Sequence, residues 1–356
     1  MGSAQFKDYK LHTEPFTEAL SYREAYLASI KDYLDARHAE SASMRAAFLP
    51  PEKLGSDLEG YRRQYIEMLG TPLTEYAYSA VPAEETYVAT DDLCEIYRVR
   101  LTVDGVFKFY GMLMKPVKTR AEKLPLVICQ HGGGGTPELC SDMNGDNNYS
   151  HMTRRILEYG VCVFAPQLLL WNSANYGVPH NRGDIDAELK RYNGSIIGLE
   201  VYLIRKAIDY MTAKPYIDET KIAMHGLSYG GLFTLYTMAA DTRIKAGYSC
   251  ACFNDRAART VLGDARFFGS GYTFMDAEIA GLCAPRHLYI DVGKTDPVFD
   301  WENAVKEYER VPAYFDAFGV KENVHLNVWD GGHTVCDTDE GHRFVMRALG
   351  WKTEEE

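Results

Sequence analysis

Residues 226–230, Gly-Leu-Ser-Tyr-Gly, hold Ser228 between two glycines just where an apolar stretch at 221–225 gives way to helix-like spacing. A serine two residues from a glycine on either side fits one local geometry well, a sharp turn from strand into helix. The chain doubles back there, so the flanking positions must be small, and the serine itself takes a strained backbone conformation. The turn also aims the first free N–H groups of the following helix at whatever reacts with the hydroxyl. Residues 229–240 carry apolar helical spacing with no proline, which supports the assignment.

A serine hydroxyl is a weak nucleophile near neutral pH and needs a base, with a third group to orient that base. The pattern at 285–292 predicts a strand, and Asp296 falls in the loop just past it. Residues 324–329 alternate as another strand, with Asp330-Gly331-Gly332-His333 directly after. Ser228, Asp296 and His333 therefore each come after a strand, in the order serine, acid, histidine. In open α/β sheets reacting groups collect beyond the carboxyl ends of the strands. Asp291 and Asp300 rival Asp296, but Asp291 falls inside the predicted strand and Asp300 suits a helix N-cap near Trp301. His342 sits in the last helical stretch, where it is expected to face solvent or the core, and His325 alternates within a strand, which makes it structural by default.

Leu124–Gln130 reads as a further apolar strand, ending in His131-Gly132-Gly133-Gly134-Gly135. Backbone N–H groups here can approach a reacting oxyanion closely. Gly133 and Tyr229 are the expected donors, with Gly134 next after Gly133. A phosphate loop would need a Gly-Lys-Ser/Thr ending or G-x-G-x-x-G spacing, and neither is present. His131, Gly134, Trp171 and Tyr176 are expected to meet the substrate. Trp171 and Tyr176 lie in the interrupting segment 167–196, a candidate lid, and the aromatic cluster at 267–274 is expected to form a second wall.

A net charge of −12 argues against nucleic acid and anionic membranes as partners. Hydrophobic residues at 46% suffice for a full core, and no apolar run is long enough to span a bilayer. The opening Met1-Gly2-Ser3-Ala4-Gln5 has neither the basic nor the apolar segment of a leader. The eight cysteines are scattered without zinc-like spacing, so no metal or cofactor is expected and a reduced, cytoplasmic chain is the reading.

Residues 1–72 read as a helical extension, broken at Pro50-Pro51, that could pack on the core, cover the site or mediate self-association. A catalytic domain is expected over 73–356. It starts with strands at 84–90, 95–103 and 106–115, the last two joined by the hairpin signal Asp104-Gly105. Strands near 124–130, 160–165, 221–225, 245–250, 286–292 and 324–329 then alternate with helices near 148–159, 197–213, 229–240, 300–316 and 339–349. That alternation predicts a mainly parallel α/β sheet with an antiparallel leading edge and helices on both faces.

Together these motifs resemble the α/β-hydrolase superfamily over about residues 85–350, within it the dienelactone hydrolase and acetyl xylan esterase branch. The run Arg205-Lys206-Ala207-Ile208-Asp209-Tyr210, then Pro215, Asp218 and Lys221, is similar to the approach to the nucleophile in acetyl xylan esterase-like proteins. The resemblance implies a metal-free hydrolase of small or acetylated esters, with Ser228 as nucleophile, His333 as base, Asp296 as orienting acid, and Gly133 and Tyr229 as oxyanion donors. Tyr229 replaces the glutamine typical of acetyl xylan esterases and the arginine of glucuronoyl esterases. Ser-Tyr-Gly-Gly is instead similar to the prolyl oligopeptidase branch, which keeps a serine peptidase without a propeller as the alternative.

Overall fold

The computed structural model describes residues 9–119, 121–144, 147–169, 171, 176–257 and 262–351. Its strands are β1 (Ala83–Thr90), β2 (Cys94–Val103), β3 (Phe107–Pro116), β4 (Leu124–Gln130), β5 (Cys162–Pro166), β6 (Ile217–Leu227), β7 (Ile244–Cys250), β8 (His287–Gly293) and β9 (Val324–Trp329). They form one sheet in the order β1-β2-β3-β5-β4-β6-β7-β8-β9. The pairs from β1 to β5 are antiparallel, and β5, β4, β6, β7, β8 and β9 run parallel. Asp104 and Gly105 turn β2 into β3 with φ of 52° and 72°, the positive pair that a tight hairpin between right-twisted strands requires. The chain leaves β4 for β5 on one side and returns to β6 on the other. The crevice at the carboxyl end of β4 is therefore a switch point, the place where such sheets open toward ligands.

Helices α1 (Leu20–Phe48), α2 (Pro51–Ser56) and α3 (Leu58–Leu69) precede the sheet. Later come α4 (Met152–Glu158), α5 (Arg182–Lys190), α6 (Ile196–Thr212), α7 (Tyr229–Ala240), α8 (Asp276–Cys283), α9 (Trp301–Tyr308), α10 (Val311–Asp316) and α11 (Glu340–Ala348). Successive residues of a strand point to opposite faces, and β7 shows both. Gly247 lies under Met238 and Thr234 of α7, whereas Tyr248 packs its ring on His342 of α11. Helices thus cover the sheet on both sides. The single helix expected over 300–316 is two, α9 and α10, with Pro312 in the first turn of the second. The helix expected from 148 starts only at Met152, because Ser150 and His151 both have positive φ.

The second half of the amino-terminal segment belongs to the same core. Leu49, Leu54, Tyr65, Leu69 and Leu73 are at most 1% exposed, each contributing roughly 1.5–3 kcal/mol of burial. Arg45 at the end of α1 is buried between Glu278 of α8 (2.7 Å) and Glu307 of α9 (2.6 Å). Arg62 of α3 donates to the carbonyls of Ala239 (2.8 Å) and Leu282 (2.9 Å), pinning α3 on the ends of α7 and α8.

Below the elbow, on the opposite face from α7, His225 of β6 and His342 of α11 stack with their Nδ1 atoms 3.2 Å apart. Only one of two facing nitrogens can carry a proton, so the pair is stable only while at least one ring is neutral. Burial, with Arg155 adding to it, pushes His342 down to about 3. Burial, and then His342, drive His225 well below its ordinary range. An unfolded histidine protonates near 6.5, so the unfolded chain binds these protons first. The stability the pair contributes is present above that pH and is lost as pH falls. Asp291 works in the opposite sense, since burial raises it to about 6 and it gains its proton on folding below that pH. The thermal midpoint is accordingly expected to fall between pH 7 and pH 5, with a shallower slope in His342→Gln. A midpoint that is flat across that window, or a slope unchanged by the substitution, would refute the assignment.

Candidate active site

Ser228 sits between β6 and α7 with φ 83° and ψ −110°, a conformation that costs a non-glycine residue of order 1–3 kcal/mol. Its N–H donates to the Cys250 carbonyl (2.8 Å), which holds the turn against β7. The two flanking glycines are dictated by contact. A Cβ at Gly226 would fall 2.2 Å from the carbonyl carbon of Gly230, and one at Gly230 would fall 2.1 Å from the Gln130 oxygen.

His333 Nε2 lies 2.9 Å from Ser228 Oγ, and its Nδ1 lies 2.8 Å from Asp296 Oδ2. A carboxylate only accepts, so Nδ1 carries the proton and the Nε2 lone pair faces the serine hydroxyl. Asp296 Oδ1 takes the N–H groups of Val298 (2.7 Å) and Phe299 (3.1 Å), so its side chain, 1% exposed, is fixed on both oxygens. Phe299 stacks along the imidazole at 5.8 Å between centroids. The loop carrying His333 rests on the one carrying Asp296, with Thr295 N–H donating to the Gly331 carbonyl (2.9 Å). Asn148 secures it from the other side, donating to the His333 carbonyl (2.8 Å) and accepting from Thr334 Oγ1 (2.7 Å). Of the rivals, Asp291 faces Tyr248 (2.9 Å) and Asn327 (2.7 Å), and Asp300 caps α9.

A cavity of about 450 Å³ opens over Ser228, lined by Gly132–Gly135, Leu139, Asn147–Tyr149, Trp171, Leu227–Tyr229, Leu262, Val298, Phe299 and His333. His333 is the only titratable side chain among these besides the two tyrosines. The Gly132 N–H is taken by Tyr149 Oη (2.8 Å). Gly133 comes next, its α-carbon in contact range of the Tyr229 ring, where an added Cβ would stand 3.1 Å from Cδ2. Tyr229 begins α7, so its N–H has no partner within the helix.

The Tyr229 ring turns away from the serine. Its hydroxyl donates to Asp264 (2.6 Å) and accepts from the Trp171 indole N–H. Burial, then Asp264, hold the phenol far above its ordinary range, so it serves as a fixed donor. Arg182 lies over the ring at 5.6 Å and pairs with Asp264 and Glu200, each at 2.7 Å. Among the described residues no cluster of three or more His, Cys, Asp or Glu is placed to hold a metal ion.

The prolyl oligopeptidase family profile matches residues 202–278, the stretch from α6 through the elbow to α8. A Bacillus subtilis (strain 168) protein named "Putative hydrolase YtaP" is 25% identical over 311 residues, 81% of this chain and 98% of its own. The solved structure of a "putative acetyl xylan esterase" from Bacteroides fragilis NCTC 9343 is similar with a TM-score of 0.63 at 14% identity, covering 87% of this chain and 88% of that one. The glucuronoyl esterase from Solibacter usitatus gives 0.60 at 14% identity, over 81% of this chain and 92% of that one. This chain has the α/β-hydrolase fold.

Within that α/β-hydrolase fold, three sequence expectations need correction. His131 is fully buried and absent from the cavity wall. Its Nε2 accepts the Leu168 N–H (3.1 Å), so Nδ1–H donates to the Gly132 carbonyl (2.9 Å), and the ring ties the glycine loop to the exit of β5. Tyr176 packs edge-on against His180 and lines a separate cavity with Phe107, Tyr110 and Glu200. The 267–274 cluster forms no wall: Phe268 points to solvent, Tyr272 bonds Glu40 of α1, and Phe274 packs on Phe48 and Tyr65. Gly134 and Trp171 do line the cavity. The lid expected at 167–196 falls partly outside the described residues, at 170 and 172–175; its second half is α5, after which Asn193 contacts Thr71. Asn148, Tyr149 and Asp264 escaped the sequence reading, since an asparagine, a tyrosine or an aspartate in a polar loop carries no periodic or motif signal.

Proposed function

We propose that this chain is a serine carboxylic-ester hydrolase acting through an acyl-enzyme on small, uncharged esters, acetylated sugars being the first substrates to test. The observation that carries this reading is the continuous hydrogen-bonded line Ser228–His333–Asp296 at the floor of a 450 Å³ cavity. His333 takes the Ser228 proton as Oγ attacks the carbonyl carbon, and Asp296 steadies the imidazolium that results. The oxyanion is met by the N–H groups of Gly133 and Tyr229. His333 then protonates the departing alcohol, and a water activated by the same ring releases the acid. The wall offers no carboxylate, lysine or arginine among its described residues, so neither acyl group nor alcohol is selected by charge. The acetyl xylan esterase of the same fold makes a carbohydrate alcohol the leading choice. Two further parts of the reading are a cytoplasmic setting, supported by eight unpaired and buried cysteines, and self-association through the amino-terminal helices. Among the described residues no helix is long and apolar enough to cross a membrane.

The second reading, a serine peptidase, is favoured by the prolyl oligopeptidase match at 202–278. A matched series of p-nitrophenyl acetate, acetylated xylose, small lactones and aminoacyl arylamides separates the two. Acetates are expected to exceed arylamides in kcat/KM by at least about 100-fold, a difference of roughly 3 kcal/mol at the transition state. Arylamides cleaved as fast as acetates would reverse the assignment.

A further inference from the structure

The first twenty residues of α1 are the most exposed apolar surface of the molecule's ordered helices. Every residue from Leu20 to Ala39 is exposed, and among the described residues the hydrogen bonds from α1 side chains to the body lie toward its carboxyl end, from Arg37 to Tyr272 and then from Glu40 and Ser41. A helix of that length reaches about 30 Å. Its base is rigid, because Arg45 is held by two buried glutamates. Unsupported helices of this size are marginal in water, yet this one carries a stripe made for packing. Leu20, Leu27, Ile30 and Leu34 are 40–53% exposed and, with Arg23 between the first two and Arg37 after the last, fall on the alternating three- and four-residue spacing of a coiled-coil seam.

We propose that α1 pairs antiparallel with α1 of a second copy of this chain, about a two-fold axis between Ala28 and Ser29. In that register Leu27 faces the partner's Ile30, and Leu34 and Leu20 face the aliphatic stems of the partner's Arg23 and Arg37. The flanking positions then agree on both sides. Glu24 meets the partner's Lys31, Lys31 meets the partner's Glu24, and Tyr26 meets the partner's Tyr33. A parallel pair in register would instead set Arg23 on Arg23 and Arg37 on Arg37, so charge selects the antiparallel arrangement. The symmetry is the self-complementary kind that closes at two copies. The area suffices as well. Tyr26 and Tyr33, 70% and 62% exposed, flank the four aliphatic residues on the same face. At roughly 150–250 Å² for each aromatic side chain, the patch approaches the ~800 Å² per partner of a stable interface.

The inference is independent of the ester-hydrolase reading, and failure of either leaves the other standing. Light scattering on the full chain after size exclusion is expected to give twice the monomer mass at micromolar concentration. Leu27→Glu with Ile30→Glu should yield a monomer that keeps its turnover of p-nitrophenyl acetate and loses no more helical circular dichroism than the first twenty residues of α1 contribute. Glu24→Lys and Lys31→Glu should each raise the dimer Kd by about tenfold, since symmetry doubles every lost pair and adds repulsion. The combined E24K/K31E chain should return to within about threefold of the original. A wild-type monomer at about 100 μM, a dimer that survives the glutamate pair, or a charge swap that restores nothing would overturn the proposal.

Discussion

Ser228→Ala is expected to cut turnover of p-nitrophenyl acetate by on the order of 10⁴-fold or more, and to leave the fold intact. Both halves rest on the geometry. The hydroxyl is the only group lost, and among the described residues its close polar partner is His333 Nε2 at 2.9 Å. The backbone strain at φ 83° is borne equally by alanine, while the N–H anchor to Cys250 is unchanged. The thermal midpoint should therefore stay within a degree or two of the parent. His333→Ala should cost about as much activity, and the double substitution little more than either alone, because groups that act as one unit lose their effect together. Residual activity within tenfold of the parent, in a protein that is still folded, would mean that another nucleophile does the chemistry and would end the acyl-enzyme proposal.

Which features the chain displays openly, and which it hides, has a physical pattern. Strand ends are legible because parallel strands buried on both faces read as short apolar runs, and the loops that leave these runs gather at one edge of the sheet. That is why the loops holding Ser228, Asp296, His333 and the four glycines could be set together from the sequence. Edge position does not say which way a side chain turns. His131 comes directly after β4, yet its ring folds back beneath the glycine loop to hold Leu168. Tyr176 is five residues from Trp171 in sequence but lines another cavity. Helix α8 was invisible because all eight of its residues are buried, so no polar face marks a period. Helix α5 was masked by its polar composition, since its buried side chains are an aspartate, Asp186, and an arginine, Arg182.

That arginine gives the second large effect. Arg182→Ala is expected to lower the free energy of unfolding by about 3–5 kcal/mol and to raise KM more than it lowers kcat. The Arg182 side chain is fully buried, with Glu200 and Asp264 each at 2.7 Å and 4% and 1% exposed. Truncation leaves two carboxylates in the interior with no cation, which is the costly way to break such a cluster. The guanidinium also lies on the Tyr229 ring and donates to the Leu169 carbonyl. Its loss therefore loosens Leu169, two residues before Trp171 of the wall, and the Tyr229 anchor, while the contacts among Ser228, His333 and Asp296 are untouched. Arg182→Lys should recover only part of the stability, since one ammonium cannot span two carboxylates and a carbonyl as a planar fork does. Arg45→Ala is the internal control. It removes an equally buried arginine from Glu278 and Glu307, in a cluster with no residue on the cavity wall. A smaller loss in urea titrations is expected there, because Arg310 still pairs with both glutamates, with KM unmoved. If both substitutions shift KM alike, the effect at Arg182 is general loosening of the chain, and the Arg182–Asp264–Tyr229 contact has no special part in shaping the pocket.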